Sequence, residues 1–158
     1  GNSIESLSAG ATSFASGATF AYEVDSQLLG NLAAAADLQV VNGNLDIASG
    51  ALLSFTDLNP SPAAFVEDST IFALFNYSGT WNGGVFTYNS QPLTDGSRFS
   101  VGSQMWEIDY NSTTAGLNFT TDYVGSNFVT VTAVPEPATL VLVAAAAGLA
   151  AILRRRRG

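Results

Sequence analysis

Apolar and polar residues alternate with a period of two in short runs through most of the chain, the pattern of strands with one face buried. Such runs predict strands at Asp37 to Val41, Asn44 to Ile47, Ile71 to Tyr77, Gly84 to Tyr88, Gln104 to Tyr110 and Phe128 to Val134. Asn-Gly, Ser-Gly and Asp-Gly pairs punctuate them as turns, and the class is all-β from Leu7 to Ala133. The helical suggestion in this part is Asn31 to Ala36, where Asn31 could cap Leu32 and the alanines; a turn of irregular chain fits equally.

An internal repeat organises the early strands. Phe14-Ala15-Ser16-Gly17-Ala18-Thr19-Phe20-Ala21-Tyr22 recurs 33 residues later as Ile47-Ala48-Ser49-Gly50-Ala51-Leu52-Leu53-Ser54-Phe55. In each copy a Ser-Gly turn separates an apolar residue from a short alternating strand. The order Asp37-Leu38-Gln39-Val40-Val41-Asn42-Gly43-Asn44-Leu45-Asp46-Ile47-Ala48-Ser49-Gly50 resembles autotransporter-associated β-strand repeats, over Leu7 to Leu58. That resemblance implies a right-handed parallel β-solenoid of a bacterial surface protein. From Ile71 to Val134 the strands are more aromatic and hairpin-like, with Thr80-Trp81-Asn82-Gly83-Gly84 as a tight connection. The expected architecture is a parallel stack, then a hairpin-rich antiparallel cap, then a short linker around Ala133.

Composition narrows the chemistry. The 158 residues contain no histidine and no cysteine, which excludes Ser/His/Asp and Cys/His nucleophile pairs, the usual zinc sites, thiol redox centres and disulfides. Up to Ala133 twelve acidic residues face Arg98 alone, so the body would repel phosphate backbones and a nucleic-acid partner is not expected. The chain opens on Gly1 and its one methionine is Met105, so the expectation is that the body, residues 1–133, is the C-terminal fragment of a longer solenoid.

Residues 134–158 read differently. Ala138 to Leu153 is 16 uncharged residues, roughly 24 Å as a helix at ~1.5 Å per residue, and Arg154, Arg155, Arg156 and Arg157 follow directly. Arginine stems reach the interface and a positive cluster stays on the cytoplasmic side, so a transmembrane helix at 138–153, N-out and C-in with a basic tail at 154–158, is predicted with membrane lipid as its surroundings. Before it stands Val134-Pro135-Glu136-Pro137, an extended segment because proline fixes φ and restricts its predecessor.

Motif, apolar helix and terminal arginines in this order resemble the PEP-CTERM sorting signal of Gram-negative bacteria, also known as the ice-binding protein C-terminal motif. The resemblance covers Val134 to Gly158. It implies that an exosortase, an integral-membrane cysteine protease or transpeptidase, reads Val134, Pro135, Glu136 and Pro137. The protein would pass through a single-pass inner-membrane precursor to the cell envelope or extracellular matrix.

Elsewhere the candidate chemistry is thin. Glu107 and Asp109 share one strand face opposite Trp106, Ile108 and Tyr110, which suits a glycosidase pair, a calcium site or a plain solvated face. Glu67-Asp68 follows the Pro-rich Asn59-Pro60-Ser61-Pro62, and Trp81 and Tyr88 could stack on sugars. Asn76-Tyr77-Ser78, Asn111-Ser112-Thr113 and Asn118-Phe119-Thr120 match the N-glycosylation pattern, and Gly83-Gly84 lacks the spacing and lysine of a phosphate loop. The expected function is an exported structural protein of the envelope or matrix, not an enzyme, with no cofactor or metal. The alternative is a surface-displayed binding module for polysaccharide or ice; a fragment of a polysaccharide-acting enzyme comes third.

Overall fold

The computed structural model describes residues 3–61 and 65–136. The helix expected at 138–153 and the arginines after it lie outside these residues, and among the described residues no helix is long and apolar enough to cross a membrane.

Among the described residues ten strands form two sheets. They are β1 (Ser6–Phe14), β2 (Thr19–Val24), β3 (Leu38–Ile47), β4 (Leu52–Asp57), β5 (Ile71–Tyr77), β6 (Thr87–Tyr88), β7 (Gln91–Pro92), β8 (Arg98–Val101), β9 (Gln104–Ser112) and β10 (Asn127–Val134). One sheet has the order β1-β3-β5-β10-β9-β8 and the other β2-β4-β6-β7. The pairs β1/β3, β3/β5, β2/β4 and β4/β6 are parallel, whereas β5/β10, β10/β9, β9/β8 and β6/β7 are antiparallel. The expected change from parallel to antiparallel pairing is present. Both sheets remain open, so the chain is a mainly β, two-sheet structure with a parallel half.

The 33-residue repeat is the register of β2 with β4 and of the end of β1 with β3, from Thr12 onward; before the bulge β1 pairs one residue out of it, Ser6 opposite Leu38. Phe14 lies opposite Ile47 and, in the other sheet, Thr19 lies opposite Leu52 and Tyr22 opposite Phe55. Each strand–turn–strand unit gives one strand to each sheet, so like residues stack on like across the turn. Gly17 and Gly50 adopt φ of 79° and 84°, a left-handed conformation that a side chain resists, and the Gly17 N–H donates to the Gly50 carbonyl at 2.9 Å.

Several boundaries depart from the sequence reading. The strands expected at Asp37 to Val41 and Asn44 to Ile47 are one strand that begins at Leu38, because Asn42-Gly43 makes a bulge rather than a turn: the register with β1 shifts between Gly10 and Thr12. Thr80 to Gly84 is no hairpin; it carries a third unit across to β6, which pairs in parallel with β4. Of Gly84 to Tyr88 only Thr87–Tyr88 forms a strand, and Asn31 to Ala36 yields a single 3₁₀ turn, Leu32–Ala34, without a side-chain cap from Asn31. Ala133, where a linker is expected, lies within β10, which continues to Val134, and both residues are buried.

The core fills the space between the sheets with aromatic rings. Phe20 meets Phe75 at 4.4 Å between ring centres, Phe55 meets Trp106 at 5.5 Å, and Phe65 packs edge-on against Phe72. A second cluster of Leu38, Val40, Ala73 and Phe128 lies beneath Phe119 and Tyr123, so the central strands are covered on both faces. That double burial accounts for the nearly unbroken apolar run in β5.

Candidate functional site

The sorting segment leaves directly from the sheet. β10 lies between β5 and β9, with Ala133 opposite Trp106 and Val134 opposite Met105. The Ala133 N–H donates to the Thr70 carbonyl at 2.9 Å, and its own carbonyl accepts the Asp68 N–H at 2.7 Å. Val134 is 4% exposed. Pro135 has no N–H to give to a neighbouring strand, so the ladder ends there for a chemical reason. Exposure then rises within two residues: Pro135 is half-buried and Glu136 is exposed. Of the expected recognition residues, Val134 is thus part of the body, Pro135 is its boundary and Glu136 is accessible. Pro137 and Arg154 to Arg157 lie outside the described residues.

Around this exit the surface is acidic and held by backbone. The turn Val66 to Ser69 carries exposed Glu67 and Asp68, and Asp68 adopts φ of 57° as it delivers its N–H to Ala133. The fixing of the exit by Thr70 and Asp68 has no local signal in the sequence, because it depends on pairing across more than sixty residues.

The other candidates are occupied by the fold. Glu107 and Asp109 do share an outward face, but Glu107 is ion-paired with Arg98 at 2.8 Å on the solvated surface, and Asp109 accepts the Asn111 N–H at 3.0 Å. Among the described residues no group of three or more His, Cys, Asp or Glu side chains is placed to hold a metal. Trp81 stacks on Tyr110 at 5.3 Å and donates its Nε1–H to the Gly84 carbonyl at 2.7 Å; Tyr88 packs on Phe99 and donates to the Ser100 carbonyl.

Two of the three glycosylation-pattern asparagines are buried braces. Asn76 accepts the N–H groups of Val124 and Gly125 and donates to the carbonyls of Gly125 and Asn127. Asn118 is fully buried between the outer loop and β5. Asn111 is exposed. Gly84 is kept by space: a Cβ there would sit 1.7 Å from the Ile47 carbonyl oxygen.

One carboxylate stands apart. Asp37 lies between the starts of β1 and β3 and accepts the Glu5 N–H at 2.8 Å on one oxygen and the Glu23 N–H at 3.0 Å on the other. Burial pushes its pKa up, the two N–H donors pull it down, and the carboxylates of Glu23 and Glu5 push it up further. The buried hydroxyls behave alike: burial raises Tyr22, Tyr110 and Tyr77, and Tyr123 is pushed up to about 12.

No curated protein and no solved structure matches this chain. Residues 133–157 match the family described as the PEP-CTERM protein-sorting motif, and this match begins on the last two residues of β10. The chain therefore carries a PEP-CTERM protein-sorting motif, the mark of an exported protein addressed to an exosortase at the cell envelope.

Proposed function

We propose that this is an exported structural protein of the Gram-negative envelope or extracellular matrix whose C-terminal signal is read and processed by an exosortase. The observation that carries the reading is the motif match over residues 133–157, which begins at the end of β10, two residues before the exposed Glu136. The two prolines hold an extended peptide, and Glu136 offers a carboxylate for recognition. The apolar run 138–153 and Arg154 to Arg157 hold that peptide at a fixed depth beside a membrane-embedded protease. The body's part is structural, and this is supported by what its candidate groups do: Trp81, Tyr88 and Glu107 are engaged in packing, hydrogen bonds or an ion pair within the fold.

Mass spectrometry of the envelope-associated protein in a host carrying the matching exosortase tests the proposal. Loss of the Arg154 to Arg157 tail, slowed by Pro135→Ala, Glu136→Ala or Pro137→Ala, is the expected result. An intact tail that is indifferent to those substitutions would make the segment an ordinary membrane anchor.

A further inference from the structure

We propose that Asn111 is an N-glycosylation site, its side-chain nitrogen taking an oligosaccharide from a lipid-pyrophosphate donor after the body has folded. The inference rests on the reading of the chain as exported, and it concerns a site on the body that the sorting signal does not touch.

The acceptor pattern occurs three times, and the fold treats its three asparagines differently. A glycan is built onto Nδ2, so that nitrogen has to be accessible and unengaged. In Asn76 it donates to the carbonyls of Gly125 and Asn127, in Asn118 to those of Asp37 and Ala73, and both side chains are fully buried. Asn111 is exposed. Its amide has one long contact, 3.4 Å between Oδ1 and the Tyr77 hydroxyl, and its Nδ2 donates to no described residue.

The backbone presents the same residue. Asp109 lies opposite Thr130 and Ser112 opposite Phe128, so Tyr110 and Asn111 together stand against Val129, a bulge on β9 that leaves Tyr110 in the core and Asn111 outside. The Asn111 N–H donates to the Asp109 carboxylate at 3.0 Å instead of to a neighbouring strand. The strand ends at Ser112, and Thr113, Thr114 and Ala115 after it are exposed. Asn111 and Thr113, the two residues the pattern requires, are therefore both within reach of an enzyme on the folded chain.

Asp109 supplies a charge beside them. It is exposed, one oxygen holds the Asn111 N–H, and the other accepts from no described residue, which leaves it for a cationic side chain of the enzyme. The places two residues before Asn76 and Asn118 hold Leu74 and Gly116, so neither has this handle. The reaction is a substitution at the anomeric carbon. Asn111 Nδ2 forms a bond to C1 of the first sugar, the bond from C1 to the phosphate oxygen breaks, the lipid pyrophosphate leaves with the bonding pair, and one Nδ2 proton passes to a base of the transferase.

The test is the folded full chain in detergent with an active, purified oligosaccharyltransferase and a lipid-pyrophosphate-linked N-acetylhexosamine oligosaccharide, read by intact mass and peptide mapping. Expected is a gain of one oligosaccharide per chain, mapped to Asn111 and absent from Asn111→Gln and Thr113→Val, two substitutions at exposed positions that leave the thermal midpoint unchanged. Asp109→Asn keeps an oxygen for the Asn111 N–H and removes the charge; transfer slowed about tenfold is the expected loss of one charge-assisted contact. A folded chain left unmodified at Asn111, or modified at Asn76 or Asn118, would overturn the proposal, and an unchanged rate in Asp109→Asn would overturn the part given to its charge. The reaction involves no exosortase, so a processed tail with an unmodified Asn111, or the reverse, separates this inference from the reading of the sorting signal.

Discussion

Asn118 grips Ala73 by both of its backbone polar groups: its Oδ1 accepts the Ala73 N–H at 2.8 Å and its Nδ2 donates to the Ala73 carbonyl at 2.9 Å. The amide side chain takes the place of a strand residue beside β5, at the position where the β5/β10 register shifts. Asn118→Ala takes the acceptor from the buried Ala73 N–H and leaves the Ala73 carbonyl to the Tyr22 hydroxyl at 3.2 Å, and a loss of about 2 kcal/mol is expected from urea unfolding. Asn118→Asp keeps the acceptor and removes the donor, so it too is destabilising at neutral pH.

Gly84 and Gly10 predict opposite outcomes for the same chemical change. A methyl group at Gly84 would collide with the Ile47 backbone, and Gly84→Ala is expected to cost about 3 kcal/mol in thermal or chemical unfolding. Gly10 lies within β1, where a Cβ would meet nothing within 4 Å, and Gly10→Ala is expected to be neutral or to stabilise by about 0.5 kcal/mol. Equal effects at the two sites would contradict the close approach.

Asp37 gives the body a pH dependence of known sign. Its folded pKa lies above the ordinary 3.8, so the folded state holds the proton more tightly than the unfolded chain does. Stability is therefore favoured by the protonated form and declines as pH rises from about 3.8 through the raised folded value, then levels off. The groups facing it are the Glu5 and Glu23 carboxylates and backbone N–H donors. Urea midpoints across this window should show a shallower decline in Asp37→Asn than in the parent; an identical slope would remove Asp37 as its source.

Ala146→Arg tests the apolar run itself. A charge near a bilayer centre costs about 3 kcal/mol on insertion scales, so membrane retention on fractionation is expected to fall sharply. Glu136→Ala, at an exposed position after the last strand, should leave both retention and the unfolding midpoint of the body unchanged while slowing processing.

The legible parts of this protein are those in which a structural requirement is written locally. The sorting motif is linear, so Pro135, Glu136 and Pro137 announce it without a fold. The stack of the first two units is legible because parallel neighbours want the same residue types in the same order, which puts Phe14 over Ile47 and Tyr22 over Phe55. The third unit escapes because its spacing drifts: Gln39 lies opposite Phe75 and Leu52 opposite Thr87, its Ser78-Gly79 falls at the end of β5, and Asn82-Gly83 stands at the corner in place of Ser-Gly. Small residues hide the extent of β1, and Asn42-Gly43 imitates a turn while making a bulge. The roles of Asn76 and Asn118 are invisible for another reason. A buried amide that braces a distant backbone has the same three-letter neighbourhood as a glycan acceptor.

The late place of β10 in the chain and its inner place in the sheet set an order of events. Among the described residues synthesis delivers the strand that joins β5 to β9 after the other strands, so until β10 emerges the β8/β9 hairpin lacks its neighbour on the inner side. Vectorial emergence of an exported chain thus leaves the interior incomplete until β10 has passed, with Pro135 directly behind it. On the proposed reading, closure of the sheet and delivery of the sorting motif to the exosortase fall close together, and the long sequence separation of the contacts made by β10 places that closure among the slower steps of folding.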